Sequence, residues 1–341
     1  MKNKRIVSYL LIIGVIYFVS FYQMDSYITR PGSAYELSPL VHVENGDTDD
    51  EGSFSLMTIS MLSATPALYV YSLFQDGYEI LQPEQVRSPH ESEEEYNVRQ
   101  LKMMSDSQIN ALKAAFETTG MPYEIETAGV FVLNVLEGGA ADDFLKAGDR
   151  VLSIDGNKFE SQQEFIDYLS GKQSGDSVEL IIEREERELV ETIALQPLPT
   201  DPERVGLGIS FVEDKTITTD PKVTIESEQI GGPSAGLMFT LEIINQLLEE
   251  DITKGYTVAG TGTMESEGQV GRIGGIDQKV MAADSDGMEI FFAPHDGEAD
   301  NIESNYGLAV QTAEEIGTDM EIVPVKTLQD ALDYLEELQP K

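Results

Sequence analysis

Residues 230–236 read Ile230-Gly231-Gly232-Pro233-Ser234-Ala235-Gly236 and are followed by Leu237, Met238, Leu241, Ile244, Leu247 and Leu248 at helical spacing. The pattern predicts a strand over 223–230, a glycine-rich turn, and an apolar helix over 234–249. Such a turn leaves backbone N–H groups and the positive end of a helix dipole beside the Ser234 hydroxyl. With the backbone of Gly232, Pro233 and Ala235 around it, this is a candidate oxyanion or anion site. Serine is also a preferred N-cap, so the motif alone reads equally as a helix cap.

A second stretch bears on that choice. Gly268-Gln269-Val270-Gly271-Arg272-Ile273-Gly274-Gly275-Ile276-Asp277-Gln278-Lys279 opens a helix in which Lys279 is followed by Val280, Met281, Ala282 and Ala283. A lysine on an apolar helical face either reaches out to water or gives up its proton. A neutral lysine amine is a general base able to accept the proton of a serine hydroxyl. Ser234 and Lys279 are therefore candidate nucleophile and base.

Working outward, residues 205–212, 256–263 and 288–293 read as strands and 277–284 and 328–338 as helices, after a stiff Pro-rich linker at 197–202. Upstream lie an expected strand over 53–60, a short helix over 65–74 opened by Thr65-Pro66, and a long helix over 91–119 closed by Gly120. Residues 27–52 are rich in Pro, Gly, Asp and Asn and read as a linker. Ile6 begins 17 residues without a charge, preceded by Lys2, Lys4 and Arg5. A helix of that length spans about 26 Å, enough for an uncleaved transmembrane anchor whose cationic tail stays cytoplasmic. The remainder is then expected outside the cytoplasm.

At 341 residues and 41% hydrophobic, the chain has room for two or three folded units. Its formal charge of −40 argues against a nucleic-acid partner, which needs clustered cations. With no cysteine and only His42, His90 and His295, thiolate chemistry is excluded and a multi-histidine metal site is not expected, so no cofactor is expected. Each histidine sits in a polar or turn-like stretch and is expected to be structural or solvent-facing, though a spatial Ser-His-Asp triad stays open. No G-x-x-x-x-G-K-[ST] phosphate loop occurs, so no nucleotide partner is expected; a small-molecule kinase remains the rival reading of the Gly-rich turn.

Between residues 123 and 198 the texture shifts to short strands and turns around GGAADDFLKAGDRVLSIDG, residues 138–156. This stretch resembles a PDZ domain of the bacterial protease-associated kind, which implies a groove for an extended peptide. The pair GGPSAG and IGGIDQKVMAA resembles the proteolytic domain of the Lon family of Ser-Lys peptidases. Carried onto this sequence, the resemblance makes Ser234 the nucleophile, Lys279 the general base, and Thr261 a group orienting Lys279. It extends weakly back to residues 52–59 and to Met104, Ser107 and Ala111, implying a PDZ module nested within a discontinuous protease domain. The whole resembles the membrane-bound, Lon-like proteases of Gram-positive bacteria.

The expected organisation is therefore an α+β protein: a tail at 1–5, an anchor at 6–22, a linker at 23–52, the first part of the protease domain at 53–122, PDZ at 123–198, and the catalytic part at 203–338. Its expected partners are a peptide or protein substrate and a membrane, and the family's ring assemblies leave a homo-oligomer open. A catalytically silent PDZ scaffold is the rival from another class.

Overall fold

The computed structural model describes residues 2–48, 51–88, 91–227, 230–297 and 301–341, with the side chains of 2–5 and 266 left aside. His90 lies outside the described residues. The chain forms two compact units, one made of residues 1–89 and 234–341, the other of residues 90–233. The second is thus inserted between two parts of the first.

The first unit is built on a six-stranded sheet in the order Glu321–Val325, Ile290–Pro294, Thr257–Gly260, Ser53–Ser63, Tyr27–Glu36, Glu79–Leu81. The first four strands run parallel and the last three antiparallel, Ser53–Ser63 belonging to both sets. Parallel neighbours need crossovers: the helices Ile276–Ser285 and Asn305–Ile316 supply those into and out of Ile290–Pro294, while the chain passes from Ser53–Ser63 to Thr257–Gly260 by way of the second unit and the helix Gly236–Leu247. The fold is accordingly mixed α/β rather than the segregated α+β expected from sequence. The central parallel strands Thr257–Gly260 and Ile290–Pro294 are buried on both faces, the latter throughout its length.

Three strands of this sheet were not expected: Tyr27–Glu36, the short Glu79–Leu81, and Glu321–Val325. Tyr27–Glu36 lies in the presumed linker because Pro31-Gly32 reads as a turn; the strand accommodates the pair with a β-bulge between Pro31 and Ala34. Its pairing with Glu79–Leu81 covers only Tyr27 to Thr29, so the missing N–H of Pro31 leaves no gap in that ladder. Gly32 is required there, since a Cβ would stand 2.4 Å from Thr58 Oγ1. At the other end, Glu321–Val325 tolerates Pro324 because it is an edge strand.

The N-terminal helix Lys2–Phe21 forms, and its described side chains from Ile6 onward are mostly exposed. Among the described residues no helix is long and apolar enough to cross a membrane, so the expected transmembrane span is not carried by the structure. The helix is 20 residues long but opens on Lys2, Lys4 and Arg5, so its charge-free stretch starts only at Ile6, against the roughly 20 apolar residues that a span takes.

The second unit holds a five-stranded antiparallel sheet in the order Ile209–Thr219, Tyr123–Val135, Arg150–Ile154, Ser177–Arg184, Arg187–Ala194. Val130, Val132, Ile154, Phe165, Leu180, Ile182 and Ile193 form its core. The long helix Glu93–Thr119, expected within the protease part, belongs to this unit and packs on Tyr123–Val135 and Ile209–Thr219. It begins with a Ser92/Glu95 capping box and ends at Gly120 in the left-handed region. The presumed Pro-rich linker is a hairpin, Gln196–Leu198 against Asp201–Gly206.

Helix and sheet are pinned by charge. Buried Lys102 donates to Asp214 at 2.8 Å and to Asp106 at 2.6 Å, while Arg150 donates to Asp214 and, at 2.8 Å, to Glu183. Asp214→Ala is expected to destabilise this unit by about 3 kcal/mol, at the low end for a broken buried pair because both cations keep a second carboxylate. Denaturant unfolding of the full chain measures it, and a loss below about 0.5 kcal/mol would mean the cluster is held by solvent rather than by Asp214.

Candidate active site

Ser234 precedes the buried helix Gly236–Leu247, whose N-cap is Ala235 and has no side-chain cap bond. The serine is therefore one residue outside the cap, and its hydroxyl turns elsewhere. Lys279 Nζ lies 2.7 Å from Ser234 Oγ and donates to Thr261 Oγ1 at 2.9 Å. Thr261 Oγ1 in turn donates to the Ser234 carbonyl at 2.9 Å. The capping alternative is thus not the one adopted, and the three side chains singled out from sequence meet at one point.

Each is placed by a local rule. The lysine helix Ile276–Ser285 starts from Gly275 in the left-handed region and buries Ile276, Lys279, Val280 and Ala283, one face at three- and four-residue spacing. Lys279 is on that face and only 3% exposed. Burial pushes its pKa down to about 7, since a charge without water or a counter-charge is disfavoured. Thr261 follows the central strand Thr257–Gly260. Gly260 lets that strand approach closely, with Met238 Sδ only 2.6 Å from where a Cβ would sit.

A backbone clamp completes the placement. Gly262 N–H donates to the Ser234 carbonyl at 2.9 Å, and the Gly262 carbonyl accepts from Leu237 N–H at 3.1 Å. The start of the serine helix is thereby fixed to the end of the central strand. Gln278 was not anticipated: its Nε2 donates to Thr29 Oγ1 at 3.0 Å, tying the lysine helix to Tyr27–Glu36. Its signal was hidden because that strand reads as a linker.

The expected oxyanion backbone needs correction. Pro233 has no N–H to offer. Gly232 N–H already donates to the Gln100 carbonyl at 3.0 Å within the second unit, where Ser107 Oγ also donates to the Pro233 carbonyl at 2.9 Å. Of the three positions, Ala235 retains a usable backbone N–H, and Ser234's own N–H stands next to it; neither donates to another backbone group among the described residues. Among the described residues, neither His42 nor His295 is hydrogen-bonded to this cluster. His42 is exposed on a short strand, and His295 stacks edge-on with Tyr306 at 5.5 Å.

A serine hydroxyl against a buried lysine whose pKa is lowered to about 7, beside the start of a helix, offers a candidate nucleophile, a candidate base and nearby N–H donors. Comparison with known proteins finds a protease domain and a PDZ domain in this chain. Residues 218–337 match the Lon protease (S16) C-terminal proteolytic domain and residues 101–195 match the PDZ domain. The chain therefore carries a Lon-type proteolytic domain together with a PDZ domain. Similar curated proteins include the Lon protease of Metamycoplasma arthritidis, 30% identical over 151 residues, covering 44% of this chain and 16% of that protein. Another is the Lon protease of Elusimicrobium minutum, 32% identical over 137 residues, covering 40% of this chain and 15% of that protein. The chain thus spans only a small part of these relatives. Among solved structures, the PDZ domain of an SdrC-like protein from Listeria monocytogenes is 37% identical over 25% of this chain and 88% of that one, with a TM-score of 0.23.

The second unit contains a separate groove of about 280 Å³ between the helix Gln162–Ser170 and residues 205–211. Phe165, Leu169, Val205, Leu207, Ile209 and Phe211 line it with apolar surface.

Proposed function

We propose that this protein is a serine endopeptidase in which Ser234 attacks the peptide carbonyl and Lys279 is the general base. The observation that carries the reading is the 2.7 Å contact between Ser234 Oγ and a lysine whose pKa burial lowers to about 7, so that the neutral amine is available at and above neutral pH. In that form Lys279 gives one N–H to Thr261, which spends its own proton on the Ser234 carbonyl, and so the amine lone pair is left facing the serine hydroxyl. Ser234 Oγ adds to the carbonyl carbon as its proton passes to Lys279. The N–H groups of Ser234 and Ala235, at the positive end of the serine helix, stabilise the resulting oxyanion. Lys279 then protonates the leaving amine, the C–N bond breaks, and water releases the acyl group with Lys279 again as base.

The chain has no phosphate loop, so the proposed cleavage draws on no nucleotide and suits flexible segments rather than folded domains. The groove of the second unit, which pairs an apolar floor with Lys172, Glu203 and Arg204, is suited to hold an extended peptide through an aliphatic or aromatic side chain. The N-terminal helix, apolar on every described side, is proposed to attach the chain to a membrane, with Lys2, Lys4 and Arg5 on the cytoplasmic side and the two units outside.

Casein hydrolysis by the full chain, without nucleotide or metal, tests the chemistry. Because the lysine pKa is lowered and the neutral form is the active one, kcat/KM is expected to fall about tenfold per pH unit below pH 7 and to level off above it. Ser234→Ala should leave no hydrolysis at any pH. A rate that does not change between pH 5 and pH 9, or survives Ser234→Ala, sinks the proposal.

A further inference from the structure

From Gly52 to Gln75 the sequence runs 24 residues without a charge, in a chain where 25% of residues are charged and about six would be expected. The first half is the strand Ser53–Ser63, partly buried in the sheet. The second half is the helix Pro66–Ser72 and the two residues after it, and here the apolar side chains face outward: Val70, Tyr71, Leu73 at 60% exposed and Phe74 at 79%. Apolar surface of this kind grouped on one short segment marks a contact surface.

Its position says what it touches. Met24 N–H donates to the Ala64 carbonyl at 2.8 Å, and Ala64 N–H donates to the Ser26 carbonyl at 2.9 Å. The chain leaving the N-terminal helix is thereby bonded to the residue that enters Pro66–Ser72, and the two helices pack on one another. Whatever surrounds the end of the first helix also reaches the second. That end is aromatic, with Tyr17 stacked on Phe21 at 5.1 Å and Phe18 on Tyr22 at 4.7 Å. Tyr71 and Tyr78 add an edge-on pair at 5.7 Å. Tyrosine rings gather where hydrocarbon meets headgroups, because the ring is apolar and the hydroxyl is not.

We infer that Val70, Tyr71, Leu73 and Phe74 form a second membrane contact, an aromatic-rich lip seated in the interfacial layer of the bilayer that holds the N-terminal helix. The inference rests on the proposed membrane attachment of that helix. A bilayer fits better than a protein partner because the neighbouring helix is exposed on all its described sides, which a one-sided protein interface leaves uncovered. A second copy is further disfavoured by charge, since each chain carries −40. Apolar side chains seated at the interface add binding to that of the helix without adding span. Being apolar and uncharged, this contact is insensitive to salt.

The chain has no tryptophan, so one substitution creates a unique fluorophore. Full-length Phe74→Trp, Ile13→Trp and Ile316→Trp chains are reconstituted in phosphatidylcholine vesicles with and without bromine-labelled acyl chains. All three positions are exposed, so each variant should fold. Ile316 ends the helix packed on Ile290–Pro294 and Glu321–Val325, at the sheet edge opposite Glu79–Leu81 and five strand spacings away, or roughly 24 Å. The expected result is about twofold quenching of the Phe74→Trp chain by bromine near the headgroups, and of the Ile13→Trp chain by bromine deep in the acyl region, with the Ile316→Trp chain unquenched and no effect of added salt. Quenching of the Ile13→Trp chain with none of the Phe74→Trp chain overturns the lip and leaves the helix attached. Quenching of neither overturns both readings. Emission from the Phe74→Trp chain that is already shielded before vesicles are added, and indifferent to bromine, shows a second copy on the patch and overturns the lip as well.

Discussion

Lys279→Met is expected to abolish peptide hydrolysis, by about 10⁴-fold or more, and at the same time to raise the melting temperature of the full chain. The two effects come from one cause. In the unfolded chain the lysine keeps its proton to its ordinary value of 10.5, whereas in the folded chain burial lets it go at about 7. Between those limits the unfolded state binds one proton more, so wild-type stability climbs as pH rises from 7 to 10.5. Below pH 7 both states are charged and the full penalty of the buried ammonium is present. At about 1.4 kcal/mol per pH unit that penalty amounts to a few kcal/mol. Methionine fills nearly the same volume, titrates nowhere, and leaves Thr261 free to keep its bond to the Ser234 carbonyl. The gain should be about 5–15 °C at pH 6 for a unit of this size and should shrink toward zero near pH 10. Melting curves at pH 6, 8 and 10 measure it. A variant that melts below wild type at pH 6 would mean that Lys279 is charged and paired in the native protein, and so is not the base.

The same buried lysine explains what the sequence made legible. An isolated cation in an apolar helix and a serine in a Gly-rich turn are chemically conspicuous, Thr261 was pointed to only by the family resemblance, and the fold brings Ser234, Lys279 and Thr261 within hydrogen-bond reach. Backbone donors are a different matter, because an N–H carries no residue identity. Gly232 looked available in sequence, yet its N–H is taken by Gln100, a residue 132 positions earlier whose role has no local signal. Strands were missed where proline or glycine sat inside them, at Pro31-Gly32 and Pro324, since a bulge and a sheet edge accommodate what a central regular strand excludes. The helix Asn305–Ile316 was missed because its buried positions are Asn305, Gly307, Ala309, Thr312 and Ala313, small or polar residues that make no apolar stripe. Sequence reading recovered the three side chains that the fold brings together and lost the residues whose contribution is a close approach.

Close approach is what Gly262→Ala tests, and the expected result is a chain that keeps its serine and lysine but loses about 10²-fold in kcat/KM and about 2–4 kcal/mol of stability. Gly262 has φ +150°, which an L side chain rarely adopts, and a Cβ there would stand 2.5 Å from Val270 Cγ1. The strain falls on the clamp, because the N–H and carbonyl of this one residue hold Ser234 and Leu237 at 2.9 and 3.1 Å. If the residue moves to relieve the contact, the Ser234 carbonyl shifts and the hydroxyl leaves the lysine lone pair, and displacements near about 1 Å are enough for the stated loss of rate. Two sources of strain can be separated, since Val270 Cγ1 belongs to a side chain and the φ does not. Adding Val270→Ala removes the obstruction, so the double variant should recover part of the activity, and the shortfall from full recovery measures the backbone contribution. A Gly262→Ala chain with wild-type rate and melting temperature would show that the clamp does not position Ser234. A double variant no better than the single one would assign the whole effect to the backbone at residue 262.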